Sequence, residues 1–366
     1  MRALFAAGGT GGHIYPAIAV AHELVRRHAE AAVRFVGTAR GLETRLVPQA
    51  GYELSLIESA GLVNMGLRAR MRGLLVLPKS LLAARRLIAE FRPDVVIGAG
   101  GYVSGPVLLV AALARIPTLI MESNAVPGFT NRRLIRFVDA AAASWEATLP
   151  YFGRKGVVTG NPVRREFFDI PAKERDRAAR FSLLLFGGSQ GARAINEAMT
   201  AALPLLAEQR ERLHITHQTG KLDFDKVRAA YAQAGWTTAA DVREYIDDMV
   251  SAFASADLII ARAGATTSAE LAAAGRAAIM IPLPGQLEQQ RNAEVLQAGG
   301  AARMILQAEL TGARLAQEIA ALVAAPARIT EMAQAVRRFA RPDAAEATVK
   351  LIERLVSRGQ RSEVRG

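Results

Sequence analysis

The sequence contains 366 residues, of which 51% are hydrophobic, and it has no cysteine. This length exceeds one ordinary hydrophobic core and fits two domains, and without cysteine the chain can form neither disulfides nor thiolate metal sites. No apolar stretch reaches the roughly 18 to 20 residues of a membrane span, and the N-terminus lacks the pattern of a signal peptide. We therefore expect a cytoplasmic protein that is soluble or bound to a membrane surface.

The formal net charge is +12, and it is unevenly distributed. Residues 1–160 contain 19 Lys and Arg against 10 Asp and Glu, a net charge of +9, which leaves +3 for the remainder. Such an excess favours an anionic partner, which can be nucleic acid, anionic lipid or a phosphorylated substrate. Few aromatic residues are interleaved with the basic ones and no nucleic-acid motif is found, so no nucleic acid is expected as a partner.

Short apolar runs alternate with helical stretches along the chain. Strands are predicted at 2–7, 33–37, 52–57, 94–98, 118–122 and 157–160, and then at 182–186, 214–217, 242–245, 257–261, 277–281 and 302–305, with helices such as 13–28 and 104–114 between them. This alternation predicts an α/β protein with two Rossmann-like, doubly wound parallel sheets. The turn-rich segment 160–165 is the predicted linker, which gives domains 1–160 and 161–341. A helix is also predicted over 337–355, and we expect the terminal segment, about 342–366, to pack back on the first domain.

Three glycine-rich loops follow predicted strands. They contain Gly8, Gly9, Thr10, Gly11, Gly12 and His13, then Gly100, Gly101 and Tyr102, and then Gly187, Gly188, Ser189 and Gly191. Glycines at the start of a helix leave backbone N–H groups open to an anion such as a diphosphate. Since ligands bind at the carboxyl ends of parallel strands, the loops predict a phosphate-bearing ligand, and two domains with facing loops would enclose a cleft for it. The alternative is a set of tight structural turns.

The common nucleotide motifs are absent from these loops. No G-x-G-x-x-G is followed by an acidic residue about 20 positions later, and no loop ends in G-K-[ST], which argues against a dehydrogenase or an NTPase. Asp223 and Asp225, and likewise Asp247 and Asp248, lie at predicted helix starts, where we interpret them as capping residues. The sequence therefore predicts neither a metal site nor a cofactor.

Eight motifs, in order along the chain, resemble the MurG family of bacterial peptidoglycan glycosyltransferases. They are GGTGGHIYP at 8–16, GGYVSGP at 100–106, NAVPGFTN at 124–131, TGNPVR at 159–164, GGSQGA at 187–192, IDDM at 246–249, RAGATT at 262–267 and PLPG at 282–285. The resemblance implies the GT-B fold, with two Rossmann-like domains facing across a cleft. It also implies inverting, metal-independent transfer of N-acetylglucosamine from UDP-N-acetylglucosamine to undecaprenyl-linked lipid I, giving lipid II, by a peripheral enzyme on the cytoplasmic face of the bacterial inner membrane. The alternative acceptor is another glycolipid or a small aglycone.

The resemblance places the UDP-sugar mainly against the second domain. Glu270, expected at a helix start, would accept hydrogen bonds from the ribose, the Ile246 backbone would meet the uracil, and Arg164 with the Gly187–Gly191 loop would hold the diphosphate. The residues expected to contact UDP-N-acetylglucosamine are Thr10, Gly11, Gly12, Asn124, Arg164, Ser189, Ile246, Ala265, Thr266, Thr267, Ser268, Ala269, Glu270, Gln289 and Asn292. Gln289 and Asn292 share a helical face and would contact the sugar hydroxyls.

Two residues are candidates for the general base that the reaction needs. The acceptor hydroxyl must lose a proton, and His13 suits that role at neutral pH. The alternative role for His13 is to position a phosphate, and Glu122 is the rival base. On this interpretation the first glycine loop faces the acceptor's own diphosphate, and the second loop holds that of the donor.

A basic and apolar segment at 62–92 predicts contact with an anionic membrane surface. It carries seven Lys and Arg and one acidic residue, and the expected membrane contacts are Leu75, Lys79, Leu82, Arg85 and Arg86. An apolar stripe of Leu77, Leu81, Ala84 and Ile88 accompanies them, and Pro78 is expected to break the helix. The alternative is a core-facing helix with solvated basic residues.

The sequence departs from the family pattern at three places. Ser123 replaces a usual glutamine, Ala277 replaces a usual proline, and Leu287-Glu288 replaces a usual Asp-His before Gln289.

Overall fold

The computed structural model describes residues 1–59, 67–173, 179–188 and 190–363, without the side chains of 67–75 and 360–363. Ser189 therefore lies outside the described residues, and of Leu75 only the backbone is described. The chain divides into two compact units, of which the first contains Met1–Val163 and Arg341–Gly366 and the second contains Arg164–Ala340.

The first unit is built on a seven-stranded parallel sheet. Its strands are β1 (Arg2–Ala7), β2 (Ala32–Gly37), β3 (Glu53–Leu56), β4 (Val95–Gly100), β5 (Thr118–Glu122), β6 (Ala140–Ala143) and β7 (Gly156–Val158). They lie in the order β3-β2-β1-β4-β5-β6-β7. The helices up to the linker are α1 (Gly11–Arg27), α2 (Glu43–Gln49), α3 (Leu67–Phe91), α4 (Ser104–Leu113), α5 (Phe129–Leu134) and α6 (Leu149–Phe152).

Both faces of this sheet are covered, which explains why its central strands β1 and β4 are nearly continuous apolar runs rather than alternating. Successive residues of β1 enter two different cores. Phe5 packs with Ile14 and Leu24 of α1, whereas Leu4 on the opposite face packs with Ile88 of α3 and Leu108 of α4. The sequence therefore folds as a three-layer sandwich of helices, sheet and helices.

Helix α3 continues through Pro78, so the predicted break at this proline is wrong. Proline removes only one backbone donor, and packing of the helix compensates for that loss because Ala84, Ile88 and Phe91 are buried in the core. The hydroxyl of Ser80 also donates to the Val76 carbonyl at 3.1 Å, one turn earlier.

The second unit is built on a six-stranded parallel sheet. Its strands are β8 (Phe181–Phe186), β9 (Leu213–Gln218), β10 (Ala240–Arg243), β11 (Leu258–Ala261), β12 (Ala277–Met280) and β13 (Ala302–Met304), in the order β10-β9-β8-β11-β12-β13. The helices are α7 (Arg193–Ala202), α8 (Phe224–Gln233), α9 (Met249–Ser255), α10 (Ala265–Ala274), α11 (Leu287–Ala298), α12 (Gly312–Ala324) and α13 (Pro326–Arg337). The doubly wound parallel sheets predicted from the sequence are confirmed.

The last helix, α14 (Ala344–Glu363), belongs to the first unit. It packs on α1, where Glu353 accepts hydrogen bonds from Arg27 and lies 2.8 Å from the His28 imidazole. Its predicted start at residue 337 is wrong, because α13 ends there and Pro342 lies in the break before α14. Proline disfavours helical geometry at the residue before it, which is consistent with the break between the two helices.

The described helices include no single one that is long and apolar enough to cross a membrane. The consecutive pair α12 and α13 passes that test by length and composition only, and it is bent by 95°.

Both sheets reverse their strand order once, and this positions the glycine loops. In the first unit the reversal lies between β1 and β4, and in the second it lies between β8 and β11. The crevice at such a reversal, beyond the carboxyl ends of the strands, is where open α/β sheets bind ligands. Each of these four strands leads into one of the motifs identified in the sequence.

Candidate functional site

In the first unit, the loops after β1 and β4 are in direct contact. A Cβ atom at Gly101 would overlap the Gly8 carbonyl, and one at Gly100 would overlap the His13 imidazole. Gly100 and Gly101 also have positive φ, at 116° and 80°. Only glycine allows this backbone conformation together with such close approach, so the two loops form one surface around His13. Tyr102 follows on the same loop with 57% of its surface exposed.

His13 lies in the first turn of α1, against Gly100. Its Nδ1 is 3.2 Å from the Gly8 carbonyl oxygen. A carbonyl can only accept, so the neutral imidazole is assigned as the Nδ1–H tautomer, which leaves Nε2 as an acceptor. In this tautomer Nε2 is the nitrogen that can accept a proton. Thr10, the residue before α1, makes no side-chain cap, and its carbonyl accepts from the His13 backbone.

Ser104, at the start of α4, stabilises the contact between the loops after β1 and β4. Its buried hydroxyl lies 2.7 Å from the Ala6 carbonyl and 2.7 Å from the Gly100 carbonyl, and it is 3.0 Å from the Gly100 amide. One hydroxyl therefore ties the end of β1 to the end of β4.

The structure also reveals Glu43, which no sequence pattern singled out. Its side chain is fully buried under the first loop, and its carboxylate accepts from the Gly9 amide at 2.9 Å. Because the Gly9 N–H already donates to Glu43, it is not available to a bound phosphate. The first loop therefore offers a ligand fewer backbone N–H groups than its glycines suggest.

Glu122, the rival base, is 4% exposed and makes four hydrogen bonds. Its Oε1 accepts from the backbone and side-chain amides of Asn124 at 3.0 and 3.1 Å, and its Oε2 accepts from Gly128 at 3.1 Å and Asn131 at 2.8 Å. Burial raises the pKa of this carboxyl, and the four donors oppose the shift. These bonds occupy the lone pairs of both oxygens, so Glu122 holds the 124–131 loop in place.

In the second unit, the loop after β8 is shaped by close backbone contacts. Gly188 and Gly191 have positive φ of 88° and 74°, and a Cβ atom at Gly191 would overlap the Thr219 carbonyl. A Cβ atom at Gly187 would likewise overlap Ala192. These contacts fix the described part of the loop at the end of β8.

Gln218, at the end of β9, joins this loop to Ile246. Its amide donates to the Gly188 carbonyl at 2.9 Å, and its oxygen accepts from the Ile246 N–H at 2.9 Å. The side chain is 1% exposed. Because Gln218 already accepts the Ile246 N–H, this N–H is not available to a nucleobase. Sequence reasoning did not single out Gln218, although it directly follows the predicted strand 214–217.

Helix α10 begins at Ala265, directly after β11 and its short loop. The Thr266 hydroxyl is buried and has no hydrogen-bond partner in the described parts of the chain, which is the state expected of a group that meets a ligand. Ser268 instead donates to the Gly264 carbonyl at 3.0 Å and stabilises the first turn. Thr267 and Ala269 are half-buried in the same first turns.

Glu270 is the sixth residue of α10, so its predicted place at a helix start is wrong. It is half-buried, and burial raises the pKa of its carboxyl from 4.5 to about 7, while the positive charge of Arg164 opposes the shift. Arg164 is exposed, and its guanidinium lies over the Phe167 ring at 5.0 Å. The structure thus brings together two residues that lie far apart in the sequence.

Gln289 and Asn292 lie on α11 but have different surroundings. Gln289 accepts from the Leu283 amide at 3.0 Å at the exposed side of the loop after β12. Asn292 is fully buried and donates to the Ala263 carbonyl at 3.1 Å. Asn292 therefore holds the loop before α10, and Gln289 is the better placed of the two to meet a sugar.

Of the four residues interpreted as acidic caps, Asp248 is confirmed. It precedes α9 and accepts from the Ser251 amide at 3.0 Å. Asp223 makes no side-chain cap of α8, so that prediction is wrong. Its carboxylate instead accepts from the Asn196 amide at 2.9 Å. Among the described residues, no group of three or more His, Asp and Glu is arranged to hold a metal ion.

The basic segment presents two faces on α3. Lys79, Arg85 and Arg86 are exposed, and Leu82 beside them is 50% exposed. Ala84 and Ile88 of the apolar stripe instead lie in the core. The stripe therefore anchors the helix to the sheet, and the basic residues with Leu82 form the outer surface.

Comparisons with known proteins agree with this architecture. Residues 3–143 match the glycosyltransferase family 28 N-terminal domain, and residues 182–348 match the family 28 C-terminal domain. The chain is 47% identical over 361 residues to a protein of Anaeromyxobacter sp. strain Fw109-5, covering 98% of this chain and 94% of the relative. It is 46% identical over 349 residues to one of Myxococcus xanthus strain DK1622, covering 94% and 91%. Both relatives are named UDP-N-acetylglucosamine--N-acetylmuramyl-(pentapeptide) pyrophosphoryl-undecaprenol N-acetylglucosamine transferase.

Among solved structures, the chain is similar to MurG of Acinetobacter baumannii. The TM-score is 0.80 at 34% identity, with 96% of this chain and 99% of that chain covered.

Proposed function

The chain belongs to the MurG family within glycosyltransferase family 28, and we propose that it transfers N-acetylglucosamine from UDP-N-acetylglucosamine to the C4 hydroxyl of the muramyl sugar of undecaprenyl-linked lipid I. The product is lipid II, a precursor of peptidoglycan. The observation that carries the chemical part of the proposal is the hydrogen bond of His13 Nδ1 to the Gly8 carbonyl, which leaves Nε2 open.

The second unit is proposed to bind the donor at the switch point between β8 and β11. The described part of the Gly187–Gly191 loop and the first turn of α10, with its unpartnered Thr266 hydroxyl, would take the diphosphate. Glu270 would accept from the ribose hydroxyls, and the Ile246 carbonyl would accept from N3–H of uracil. Arg164 supports this arrangement because its positive charge lowers the pKa of Glu270 and so favours the carboxylate that accepts hydrogen bonds.

The first unit is proposed to carry the acceptor side of the reaction. His13 Nε2 takes the proton of the muramyl C4 hydroxyl while the oxygen attacks the anomeric carbon of N-acetylglucosamine. The bond from that carbon to the diphosphate breaks on the opposite face, and UDP leaves with the electron pair. The configuration at the anomeric carbon is thereby inverted. The backbone amides and Arg164 stabilise the charge that develops on the diphosphate.

We further propose that α3 docks the enzyme on anionic lipid at the cytoplasmic face of the inner membrane, where a lipid-linked acceptor is held. The exposed Lys79, Arg85 and Arg86 surround Leu82 on the outer face of this helix. Each basic side chain near such a surface contributes about 1 kcal/mol, and an exposed leucine can insert among the lipid chains.

The test is transfer from UDP-N-acetylglucosamine to a lipid I analogue by the purified protein, without added metal. A second arm uses an analogue without the pentapeptide, and a third uses an unrelated glycolipid. Product with the complete analogue alone supports the proposal as stated. Product with the unrelated glycolipid only, or with none of the acceptors, would overturn it.

A further inference from the structure

We propose that Glu43 is a positioning residue that orients His13 by fixing the peptide group between Gly8 and Gly9. This inference rests on the proposed function, in which His13 accepts the proton of the sugar hydroxyl. Glu43 is the first residue of α2 and is fully buried. Within the described parts of the chain, no Lys, Arg or His side chain pairs with it, so hydrogen-bond donors alone must compensate for burial of its carboxylate.

Three donors converge on the carboxylate from two different loops. Its Oε2 accepts from the Gly9 amide at 2.9 Å. Its Oε1 accepts from the Thr38 amide at 2.8 Å and from the Thr38 hydroxyl at 2.9 Å. The side chain thereby connects the loop after β1 to the loop after β2, and hydrogen bonds to a charged acceptor are about twice as strong as neutral ones.

Glycines surround the side chain and make room for it. A Cβ atom at Gly8 would lie 2.9 Å from Glu43 Oε1, and Cβ atoms at Gly37 and Gly41 would overlap the Glu43 side chain. These three glycines come from three different positions along the chain. A larger residue at any of these three positions would therefore collide with the Glu43 side chain in its observed position.

One peptide group links Glu43 to His13. The N–H that Glu43 accepts belongs to Gly9, and the carbonyl that His13 Nδ1 contacts at 3.2 Å belongs to Gly8. These are the two ends of the same trans peptide unit, so they point in opposite directions. Because Glu43 fixes the direction of the Gly9 N–H, it also fixes the Gly8 carbonyl in its direction toward the His13 imidazole.

This peptide group needs such a restraint because it joins two glycines. Gly9 has φ of 90°, and glycine reaches positive and negative φ about equally well. A flip of the Gly8–Gly9 peptide would remove the acceptor of the His13 Nδ1–H and release the imidazole to the other tautomer. The buried carboxylate opposes that flip, because after it the Gly8 carbonyl oxygen would face Oε2.

The test replaces Glu43 by Gln, which keeps the shape of the side chain. Whichever way its amide is turned, an NH₂ group faces either the Gly9 N–H or the Thr38 donors, so one set of hydrogen bonds is lost. The matched control is Asp139→Asn. Asp139 likewise accepts from the amide and hydroxyl of one threonine, Thr118, at 2.8 Å each, but at the amino end of β5, the edge opposite the loops.

The first readout is NMR of ¹⁵N-labelled histidine in the full-length protein, with the His13 signals assigned by their loss in His13→Ala. We expect the wild type and Asp139→Asn to show the Nδ1–H tautomer, and Glu43→Gln to show a mixture. A glutamine can still turn its oxygen toward the Gly9 N–H, so Glu43→Asp, whose shorter side chain withdraws the carboxylate from Gly9, is measured in the same way. Unchanged His13 signals in both folded variants, or in whichever of them folds, would overturn the proposal.

The second readout is the kinetics of transfer. We expect kcat of Glu43→Gln to fall roughly 10- to 100-fold while KM for UDP-N-acetylglucosamine stays within about twofold, and Asp139→Asn to retain kcat. Equal loss of kcat and donor affinity would indicate a merely structural role and would overturn the proposal. Absence of transfer by the wild type would instead reject the proposed function, and the NMR readout would still decide whether Glu43 orients His13.

Discussion

Replacing Glu270 by Gln is expected to stabilise the protein and to weaken binding of the donor. The carboxyl lies half-buried on α10, and burial raises its pKa from 4.5 to about 7. Arg164 is the cation that opposes this shift. The pKa of Asp248 is lowered by its hydrogen bonds from Ser251 and, to a smaller extent, by the same Arg164 charge. The folded protein therefore holds the Glu270 proton over a pH range in which the unfolded chain has released it.

The effect on stability follows from this difference. Because the folded pKa is the higher one, the folded state binds more protons between pH 4.5 and 7, so the free energy of unfolding falls as the pH rises through this window. Above pH 7, Glu270 is ionised in the folded protein, and the free energy of unfolding is reduced by the full amount. The difference between a pKa of 4.5 and one of about 7 corresponds to about 3 kcal/mol. Urea unfolding should show Glu270→Gln more stable than the wild type by up to that amount at pH 8, and by about 1 kcal/mol or less at pH 5.

The effect on binding has the opposite sign. If the ribose hydroxyls donate to the ionised carboxylate, a group with a pKa near 7 makes the Kd for UDP-N-acetylglucosamine rise about tenfold from pH 8 to pH 6. The sugar nucleotide is the right ligand for calorimetry, because its diphosphate is esterified at both ends and has no group with a pKa near 6, unlike the terminal phosphate of UDP. Glu270→Gln should bind more weakly at pH 8 and lose the pH dependence. Glu208→Gln, at an exposed position of the same unit, is the control.

A wild-type Kd that is equal at pH 6 and pH 8 would refute the reasoning, as would a tenfold change that persists in Glu270→Gln. Stabilisation at pH 8 without any change in donor binding would retain the pKa argument and reject the ribose contact.

Three further predictions concern the remaining parts of the site. His13→Ala should lower kcat by about 10²- to 10⁴-fold with KM for the donor nearly unchanged in steady-state assays; parallel losses in both would mark a binding role. Gln218→Ala should raise KM for the donor about tenfold, since a buried hydrogen-bonded side chain is lost, and leave kcat within a few-fold; a fall in kcat alone would contradict this. Reversing Lys79, Arg85 and Arg86 to Glu should weaken binding to anionic vesicles by at least about 100-fold, and unchanged flotation would exclude this surface.

The sequence predicts the sheets well because buried parallel strands are continuous apolar runs. It missed β6, whose four residues are all alanine. Alanine has low strand propensity, and this strand is formed because β5 and β7 pair with it on either side. In α3 the sequence predicted a break at Pro78 that does not occur. Packing of this helix on the sheet outweighs the effect of the proline.

The site was predicted where glycines and motif residues follow strands, because the strand order then places those loops at the two switch points. Side-chain surroundings were not predictable in the same way. Asn292 and Gln289 share a helix face by spacing, but only the fold shows that Asn292 is fully buried against Ala263. Likewise Glu270 follows the helix start by five residues, a distance that the sequence pattern did not define.

The two glycine loops differ in the chemistry beneath them, and this difference distinguishes their roles. Under the first loop lies a buried carboxylate, Glu43, which occupies the Gly9 N–H and would repel a phosphate placed there. Under the second loop lies a neutral amide, Gln218, which donates to the Gly188 carbonyl and adds no charge. An anion is therefore favoured at the second loop and disfavoured at Gly9. That the first loop faces the acceptor's diphosphate stays a prediction, in which the Gly9 N–H takes no part because Glu43 accepts it. We propose that the donor's diphosphate is bound in the second unit.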